Sequence, residues 1–411
     1  MYFHNNIERI TSNGSINRLT LLYILIFGTF LFIFSLRGHL PFIGVSLSWL
    51  IPVFVISTFL YTILLTQKLI RVNKYLTLFF ITIIISQILN MIIYTEYELI
   101  SRFLLEIILN GLIFYTVFLV VAQGLFRVET LLEVIRAVTI ILSIPIYYLA
   151  FSLESVRRIG AADAYLPMAV NHMGHALAVG CMISIYFIIR SYRNNSFLSC
   201  IKNIFISIIL LVATVLTGSK AAVLSMLIYL FLCFSVGNRF YVRTTFFYVV
   251  IFFLSAMVPD SEIGKYSSLK QRFELERFAI GAEQRKVTYM NALESVSDES
   301  IILGESWRYE PINTKEPIPY PHNFFLSILL HTGILPFIFF TLFIGSRLIF
   351  YFYKMYKSKE KETWILFNSM MYLMLIYVLT SGRITRVMTI FVVLGIIEGY
   401  LRRNRSLKSA P

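Results

Sequence analysis

The long polar segment of this sequence gives way to an apolar run at Pro321-His322-Asn323-Phe324-Phe325-Leu326-Ser327-Ile328-Leu329-Leu330-His331-Thr332-Gly333-Ile334. The polar segment before it covers residues 259–323, and the residues after it are predicted to form a membrane-spanning helix near 324–350. A His-Asn pair at the start of such a helix stands where the bilayer and water meet. Its meaning depends on the membrane face that it occupies.

The composition identifies a membrane protein. Of the 411 residues, 58% are hydrophobic and only 14% are charged, and the mean hydropathy is +0.76. A soluble domain of this size carries about 25% charged residues. A spanning helix needs about 20 mostly apolar residues, and the chain holds enough of them for about a dozen helices.

Twelve spans are predicted, and the fold class is therefore an all-α polytopic membrane protein with a single transmembrane domain over residues 1–411. The predicted spans lie near 20–36, 42–65, 75–94, 103–125, 131–152, 166–189, 201–217, 221–236, 244–258, 324–350, 363–380 and 387–401. The large loop 259–323 is inserted between the ninth and tenth spans. Within it, residues 283–296 are predicted to form a short helix, and residues 268–280 are a less regular helical candidate.

The distribution of basic residues predicts the orientation. The connections on the side of the two termini hold 20 Lys and Arg, whereas the short connections on the other side hold 7. Since Lys and Arg accumulate on the cytoplasmic side, both termini are expected to be cytoplasmic and the loop 259–323 extracytoplasmic. This pattern also explains the net charge of +14 without nucleic acid as a partner.

Several classes of protein are disfavoured by what the sequence lacks. The cysteines Cys181, Cys200 and Cys233 lie in or beside apolar runs, so no structural disulfide is expected. The absence of a GxxxxGK[ST] loop argues against ATP as the energy source. The first apolar run lacks a small-x-small site, so no cleavable signal peptide is expected. Many secondary transporters have internal repeats, and this sequence shows none, which argues against a transporter of that kind.

Some cations lie in the outer connections, against the orientation signal, and two interpretations stay open. They could extend to lipid phosphates, as isolated interfacial cations do. Alternatively, they act together as donors that bind a diphosphate in the outer leaflet. The cations in question are Arg157, Arg158, Lys220, Arg383 and Arg386, with Arg285 of the predicted loop helix as a further member.

Polar groups inside the sixth span are also candidates for function. His172 and His175 are close to its outer end, and their spacing suits a metal pair. No third ligand is evident, so no metal is predicted, and both are expected to make hydrogen bonds in the bundle or to line a cavity. The other charged residues near span ends are interpreted as packing or interfacial groups: Glu106, Glu133, Arg136 and Glu398.

His322 is the main catalytic candidate. A neutral imidazole accepts a proton from an attacking hydroxyl near neutral pH. The alternative is that His322 and Asn323 only cap the tenth span, since Asn is a favoured cap residue. Upstream, Trp307, Tyr309 and Tyr320 offer faces for sugar rings, or they are ordinary interfacial aromatic residues.

Several local patterns together resemble the bacterial O-antigen polymerase and O-antigen ligase superfamily, which are membrane-embedded C-type glycosyltransferases. Residues 216–224 (LTGSKAAVL) are similar to the family's Thr-Gly-Ser-Arg followed by small and apolar residues. Residues 281–304 resemble its loop helix with an arginine before a glycine turn, and 321–334 resemble its His-Asn helix start. Asn171 and Gly174 weakly resemble a fourth pattern. The departure is Lys220, where the family usually has arginine.

The resemblance implies a division of roles. Lys220 and Arg285 hold the diphosphate of the donor, and His322 is the general base. No cofactor or metal is required, because the lipid diphosphate is already activated. Lysine at position 220 keeps the charge but lacks the bidentate geometry of arginine. The residues expected to line the substrate cavity are Asn171, His172, His175, Asn323, Tyr289, Trp307 and Tyr320.

The implied function is a polymerase that joins undecaprenyl-diphosphate-linked repeat units into O-antigen or capsular polysaccharide, outside the bacterial cytoplasmic (inner) membrane. Its partners are then a lipid-linked glycan donor, a glycan acceptor, the bilayer, and chain-length regulator and flippase proteins. One alternative is the O-antigen ligase of lipopolysaccharide biosynthesis, which transfers polymer to lipid A core. The polymerase is favoured because the loop ends in a plain Pro-His-Asn instead of a longer His-rich run. A lipid-linked sugar transporter or flippase is the other alternative, and it predicts charges near the midplane.

Overall fold

A computed structural model of the chain describes eleven stretches: 73–94, 97–120, 122, 128–152, 170–217, 219–236, 239–256, 275–294, 298–304, 323–381 and 388–408. Over these residues the chain forms helices and their connections, without strands. The all-α prediction is therefore confirmed for this part of the chain.

The helices are numbered here in chain order. They are α1 (Lys74–Tyr94), α2 (Tyr97–Ile107), α3 (Phe114–Val120), α4 (Val128–Ser152), α5 (Val170–Arg193), α6 (Phe197–Leu216), α7 (Lys220–Ser235), α8 (Arg239–Ala256), α9 (Leu275–Glu294), α10 (Asp298–Leu303), α11 (Phe324–Thr332), α12 (Ile334–Lys357), α13 (Lys361–Ser381) and α14 (Met388–Lys408). A π-helical segment, Ile108–Ile113, joins α2 to α3.

Within the described stretches, five helices are long and apolar enough to cross a membrane, namely α1, α4, α5, α6 and α12. Their positions agree with predicted spans to within a few residues at most ends. The predicted spans near 20–36 and 42–65 lie outside the described residues. The count of twelve spans therefore stays a prediction.

The predicted tenth span is not a single helix, which corrects the expectation for residues 324–350. α11 ends at Thr332, α12 begins at Ile334, and Gly333 between them has a φ of 88°. Glycine adopts positive φ without the steric penalty of a side chain. Gly333 permits the break between α11 and α12, but the sequence did not indicate it because apolar residues continue on both sides of this glycine.

The loop helix is also longer than expected. α9 runs from Leu275 to Glu294 and joins the predicted helix 283–296 to part of the candidate 268–280. Gly281 lies inside it. A glycine in a helix interior costs about 1 kcal/mol relative to alanine, which is too little to interrupt the helix on its own.

α5 is the central helix of the described bundle. Its apolar window is 89% buried, whereas those of the other four candidate spans are 28% to 44% buried. It packs against α4, α6, α7 and α13. Gly180 permits the contact with α4, because a Cβ at this position would overlap the side chain of Thr139.

Two charges inside spans are packed in the protein. Arg136 of α4 is buried, donates to Asn203 Oδ1 of α6 at 2.5 Å and pairs with Glu133. Glu398 of α14 pairs with Arg347 of α12, with 2.8 Å between Oε1 and Nε. Of the two interpretations left open by the sequence, packing is correct for Arg136 and Glu398.

Candidate functional site

The described helices define two ends of the bundle. Arg193 at the C-terminus of α5 pairs with Glu362 at the N-terminus of α13, so these two helices are antiparallel. The end that carries the N-terminus of α5 and the C-terminus of α13 is called the loop end. The charge distribution predicts that the loop end faces away from the cytoplasm.

The turn between α6 and α7 carries Lys220, the predicted diphosphate cation. Thr217 Oγ1 donates to Thr214 O at 2.6 Å and accepts the Ser219 N–H at 3.3 Å, which shapes the turn. Lys220 is the first residue of α7 and is half-buried. A helix N-terminus carries partial positive charge, so the ammonium group and the helix end favour the same kind of ligand, an anion.

This turn packs directly on the start of α5. A Cβ at Gly174 would lie 2.7 Å from Ser219 Cβ and 2.7 Å from Thr217 Oγ1, which is too close for any side chain. The next residue, His175, is buried. The structure therefore brings together two of the sequence patterns, 171–175 and 217–220. The side chains of Asn171 and His172 lie outside the described part.

The loop helix α9 contacts the loop end through Tyr289. Its hydroxyl donates to the backbone carbonyl of Leu379, close to the C-terminus of α13, at 3.2 Å. Arg285 precedes Tyr289 by one helical turn on the same face of α9, and its side chain is exposed. Tyr289 was predicted as a cavity residue, and the structure gives it a structural contact that the sequence did not indicate.

Asn323 caps α11, as one interpretation of the sequence proposed. Its Oδ1 accepts the Leu326 N–H at 3.1 Å. The predicted base His322 directly precedes this cap and lies outside the described residues. Six other predicted site residues also lie outside them: Arg157, Arg158, Arg383, Arg386, Trp307 and Tyr320.

A polar cluster on α1, consisting of Ser86, Gln87 and Asn90, was missed by the sequence analysis. These side chains are 5%, 0% and 0% exposed. The only sequence signal was three polar residues at neighbouring positions on one face of a span that is otherwise apolar apart from Thr77 and Thr82. We refer to them as the α1 polar cluster.

The α1 polar cluster binds carbonyls at the ends of two other helices. Asn90 Nδ2 donates to Gly304 O at 3.0 Å and to Leu303 O at 3.3 Å, and the Ser86 hydroxyl also donates to Leu303 O. Gln87 Nε2 donates to His331 O at 3.1 Å. The C-terminal ends of α10 and α11 therefore contact the same short segment of α1, residues 86–90.

The backbones at these two helix ends touch each other. Gly304 and Gly333 both have positive φ, and a Cβ on Gly304 would overlap the backbone of 331–333. A Cβ on Gly333 would overlap the backbone of Ile302. The chain just after α10 is thus packed into the break between α11 and α12.

The opposite end of the bundle contains a cavity of about 600 Å³. Arg190 binds Glu129 there, with 2.5 Å between Nη1 and Oε1, and Arg193 binds Glu362. Lys359, Arg403 and Glu360 also line the cavity, so four cations face three carboxylates there. Little net positive charge is left for a diphosphate. In the described stretches, no three His, Cys, Asp or Glu side chains are placed so that they could hold a metal ion.

Residues 205–341 match the model of a protein family described as O-antigen ligase. The matched third of the chain contains Lys220, Arg285 and the whole stretch 321–334, and it ends just inside α12. No curated protein matches the chain. Together with the apolar helices, the family match confirms the predicted resemblance to the O-antigen ligase and polymerase superfamily.

Proposed function

We propose that the chain is a glycosyltransferase that joins undecaprenyl-diphosphate-linked repeat units into O-antigen or capsular polysaccharide, at the outer face of the bacterial cytoplasmic membrane. The observation that carries this proposal is the contact of residues 171–175 with the turn 217–220 at the loop end. The family match supports a function of the O-antigen ligase or polymerase type.

Lys220 and Arg285 bind the diphosphate of the donor. As the bond between the sugar and the diphosphate breaks, negative charge develops on the leaving group. A preorganised cation at a helix N-terminus stabilises that charge, and Lys220 stands at the start of α7. Arg285 on α9 adds a planar donor group that suits phosphate oxygens. Further cations complete the set in this proposal: Arg157, Arg158, Arg383 and Arg386.

His322 acts as the general base. The neutral imidazole takes the proton of an acceptor hydroxyl while the hydroxyl oxygen attacks the anomeric carbon of the donor sugar. The new glycosidic bond forms as the lipid diphosphate leaves. His322 directly precedes Asn323, whose side chain caps α11. In this proposal the base is thus the residue before the capped start of α11.

The sugar rings occupy a cavity between the loop and the bundle. Trp307, Tyr320 and Tyr289 supply aromatic faces for the rings, and Asn171, His172 and His175 supply polar groups at the start of α5. Apolar surroundings exclude water from the activated donor and favour transfer over hydrolysis. The flippase that delivers the donor and a chain-length regulator are the expected protein partners.

The second candidate is the ligase, because the matched family is described as O-antigen ligase. The two reactions share the donor chemistry and differ in the acceptor, which is another lipid-linked unit for the polymerase and lipid A core for the ligase. A transporter has less support. It would use charges near the midplane, but Arg136 and Glu398 are held in ion pairs.

A deletion strain tests the proposal and separates the two enzymes. Unpolymerised single repeat units on the cell surface indicate the polymerase. Free polymer without its lipid core indicates the ligase. Surface glycan of normal length and normal attachment in the deletion strain would contradict both.

A further inference from the structure

We infer that the α1 polar cluster, Ser86, Gln87 and Asn90, positions the catalytic end of the broken tenth span, an inference that rests on the proposed function. These residues contact neither donor nor acceptor in this scheme. They act through α11, the half-helix that starts next to His322.

The cluster lies within a helix that is long and apolar enough to cross a membrane. α1 is a candidate span that reaches Ile93, and its helix ends at Tyr94. At a rise of about 1.5 Å per residue, Asn90 is about 6 Å and Ser86 about 12 Å below that end. Asn90 binds the carbonyl of Gly304, and Gln87 binds that of His331, two residues before Gly333. Both glycines are therefore buried among the helices and do not lie beyond their ends.

Backbone at this depth needs internal hydrogen-bond partners. Carbonyls in the last turn of a helix have no partner within that helix, and lipid supplies none. Leu303 is the last residue of α10, and His331 lies in the last turn of α11. Asn90 and Gln87 donate to these two carbonyls, so one face of α1 caps both helices.

The register of the contact is set by the two glycines. Each has positive φ. A Cβ on Gly304 would overlap the backbone of 331–333, and a Cβ on Gly333 would overlap the backbone of Ile302. The backbone at Gly304, just after α10, and the break at Gly333 therefore meet in one arrangement. Phe103 of α2 stacks on the His331 ring with 5.2 Å between ring centroids, which supports the same end of α11 from another side.

The position of the C-terminal end of α11 determines the position of its N-terminal end. α11 has nine residues and is about 13 Å long at 1.5 Å per residue. A rotation of about 5° about Gly333 would move its N-terminal end by about 1 Å, a displacement that costs up to about hundredfold in rate. Polar anchors for a half-helix are thus needed for catalysis even where apolar packing would hold the fold.

The test uses the full-length protein in lipid nanodiscs with a lipid-linked glycan donor. Gln87→Met keeps the side-chain length but removes the amide donor, and Ser86→Ala removes the hydroxyl. We expect kcat to fall about tenfold or more, with the donor KM within about twofold of wild type. Ser86→Thr retains a hydroxyl and should recover activity. Thr82→Val is the matched control, because the Thr82 hydroxyl bonds only carbonyls of α1 itself, at Leu78 and Phe79.

A second measurement does not depend on activity. Ile302 itself contacts Gly333, and Ile334 follows Gly333 in the chain. A short cross-linker should therefore join Ile302→Cys to Ile334→Cys in a background without native cysteines. Cross-linking should decrease in Gln87→Met and stay unchanged in Thr82→Val.

The outcomes are distinct. Wild-type kcat in Gln87→Met, or a loss of activity in proportion to lost folded protein, overturns the positioning role. Unchanged cross-linking in Gln87→Met would also overturn the positioning role. If the wild-type protein transfers no glycan while cross-linking still depends on Gln87, the proposed function has failed, and the role of the cluster in transfer fails with it.

Discussion

Gly174 of α5 lies against Ser219 in the turn before α7, with room for no side chain between them: a Cβ at position 174 would stand 2.7 Å from Ser219 Cβ. This contact joins two sequence patterns that are separate in the chain. It places Lys220 beside the start of α5, the most buried of the five candidate spans. The position of Lys220 therefore depends on a glycine of another helix.

Gly174→Val should abolish transfer or reduce it strongly, because the added side chain displaces the turn 217–220 and Lys220 with it. The measurement is glycan chain length in a deletion strain that expresses the variant at the wild-type level. Gly345→Ala is the matched control, since nothing lies within 4 Å of a Cβ at that helical position. Normal glycan in Gly174→Val would remove this contact from the site.

Lys220→Arg should retain activity and Lys220→Ala should lose most of it. Arginine keeps the positive charge at the start of α7 and adds bidentate geometry, whereas alanine leaves only the helix end for the diphosphate. Initial rates at several donor concentrations measure the effect. Lys202→Ala serves as the control, since Lys202 is an exposed cation near the other end of α6. Wild-type rates in Lys220→Ala would contradict the diphosphate role.

Substitutions of His322 should change activity, whereas substitutions of Asn323 should change stability. His322→Ala removes the proposed base and should stop chain extension with little change in thermal midpoint. Asn323→Ala removes the cap of α11 and should cost about 1 kcal/mol of stability. Asn323→Ser retains a capping oxygen and should recover most of that loss. Normal polymer from a well-folded His322→Ala protein would exclude the base.

Much of the helical framework was predictable because apolar runs of spanning length are a strong signal. α1 and α13 follow their predicted spans closely. The cap by Asn323 was also predictable, since a cap is a local interaction. These features depend on neighbouring residues of the chain alone.

The break at Gly333 and the α1 polar cluster were not predictable, because both depend on contacts between distant residues. Gln87 reaches the carbonyl of His331 across the bundle, and Asn90 reaches Gly304. A glycine in an apolar run has the same local appearance whether the helix continues or stops. The positive φ of Gly333 and the partner backbone at Ile302 together explain why this residue must be glycine.

The ion pair between Arg347 and Glu398 should be far more important for stability than the pair between Arg193 and Glu362. The first pair is largely buried, and Glu398 also accepts the Tyr351 hydroxyl at 3.1 Å. Arg347→Met leaves a buried carboxylate without its cation and should cost about 3–5 kcal/mol.

Arg193 is 55% exposed, so water screens this pair more than it screens the pair of Arg347. Arg193→Ala should therefore cost less than Arg347→Met, although Glu362 is itself only 11% exposed. Thermal unfolding of the purified variants compares the two. The double variant Arg347→Met with Glu398→Leu should recover part of the loss, because it removes both charges together. Equal midpoints for Arg347→Met and Arg193→Ala would mean that the charge of Glu398 is stabilised without Arg347.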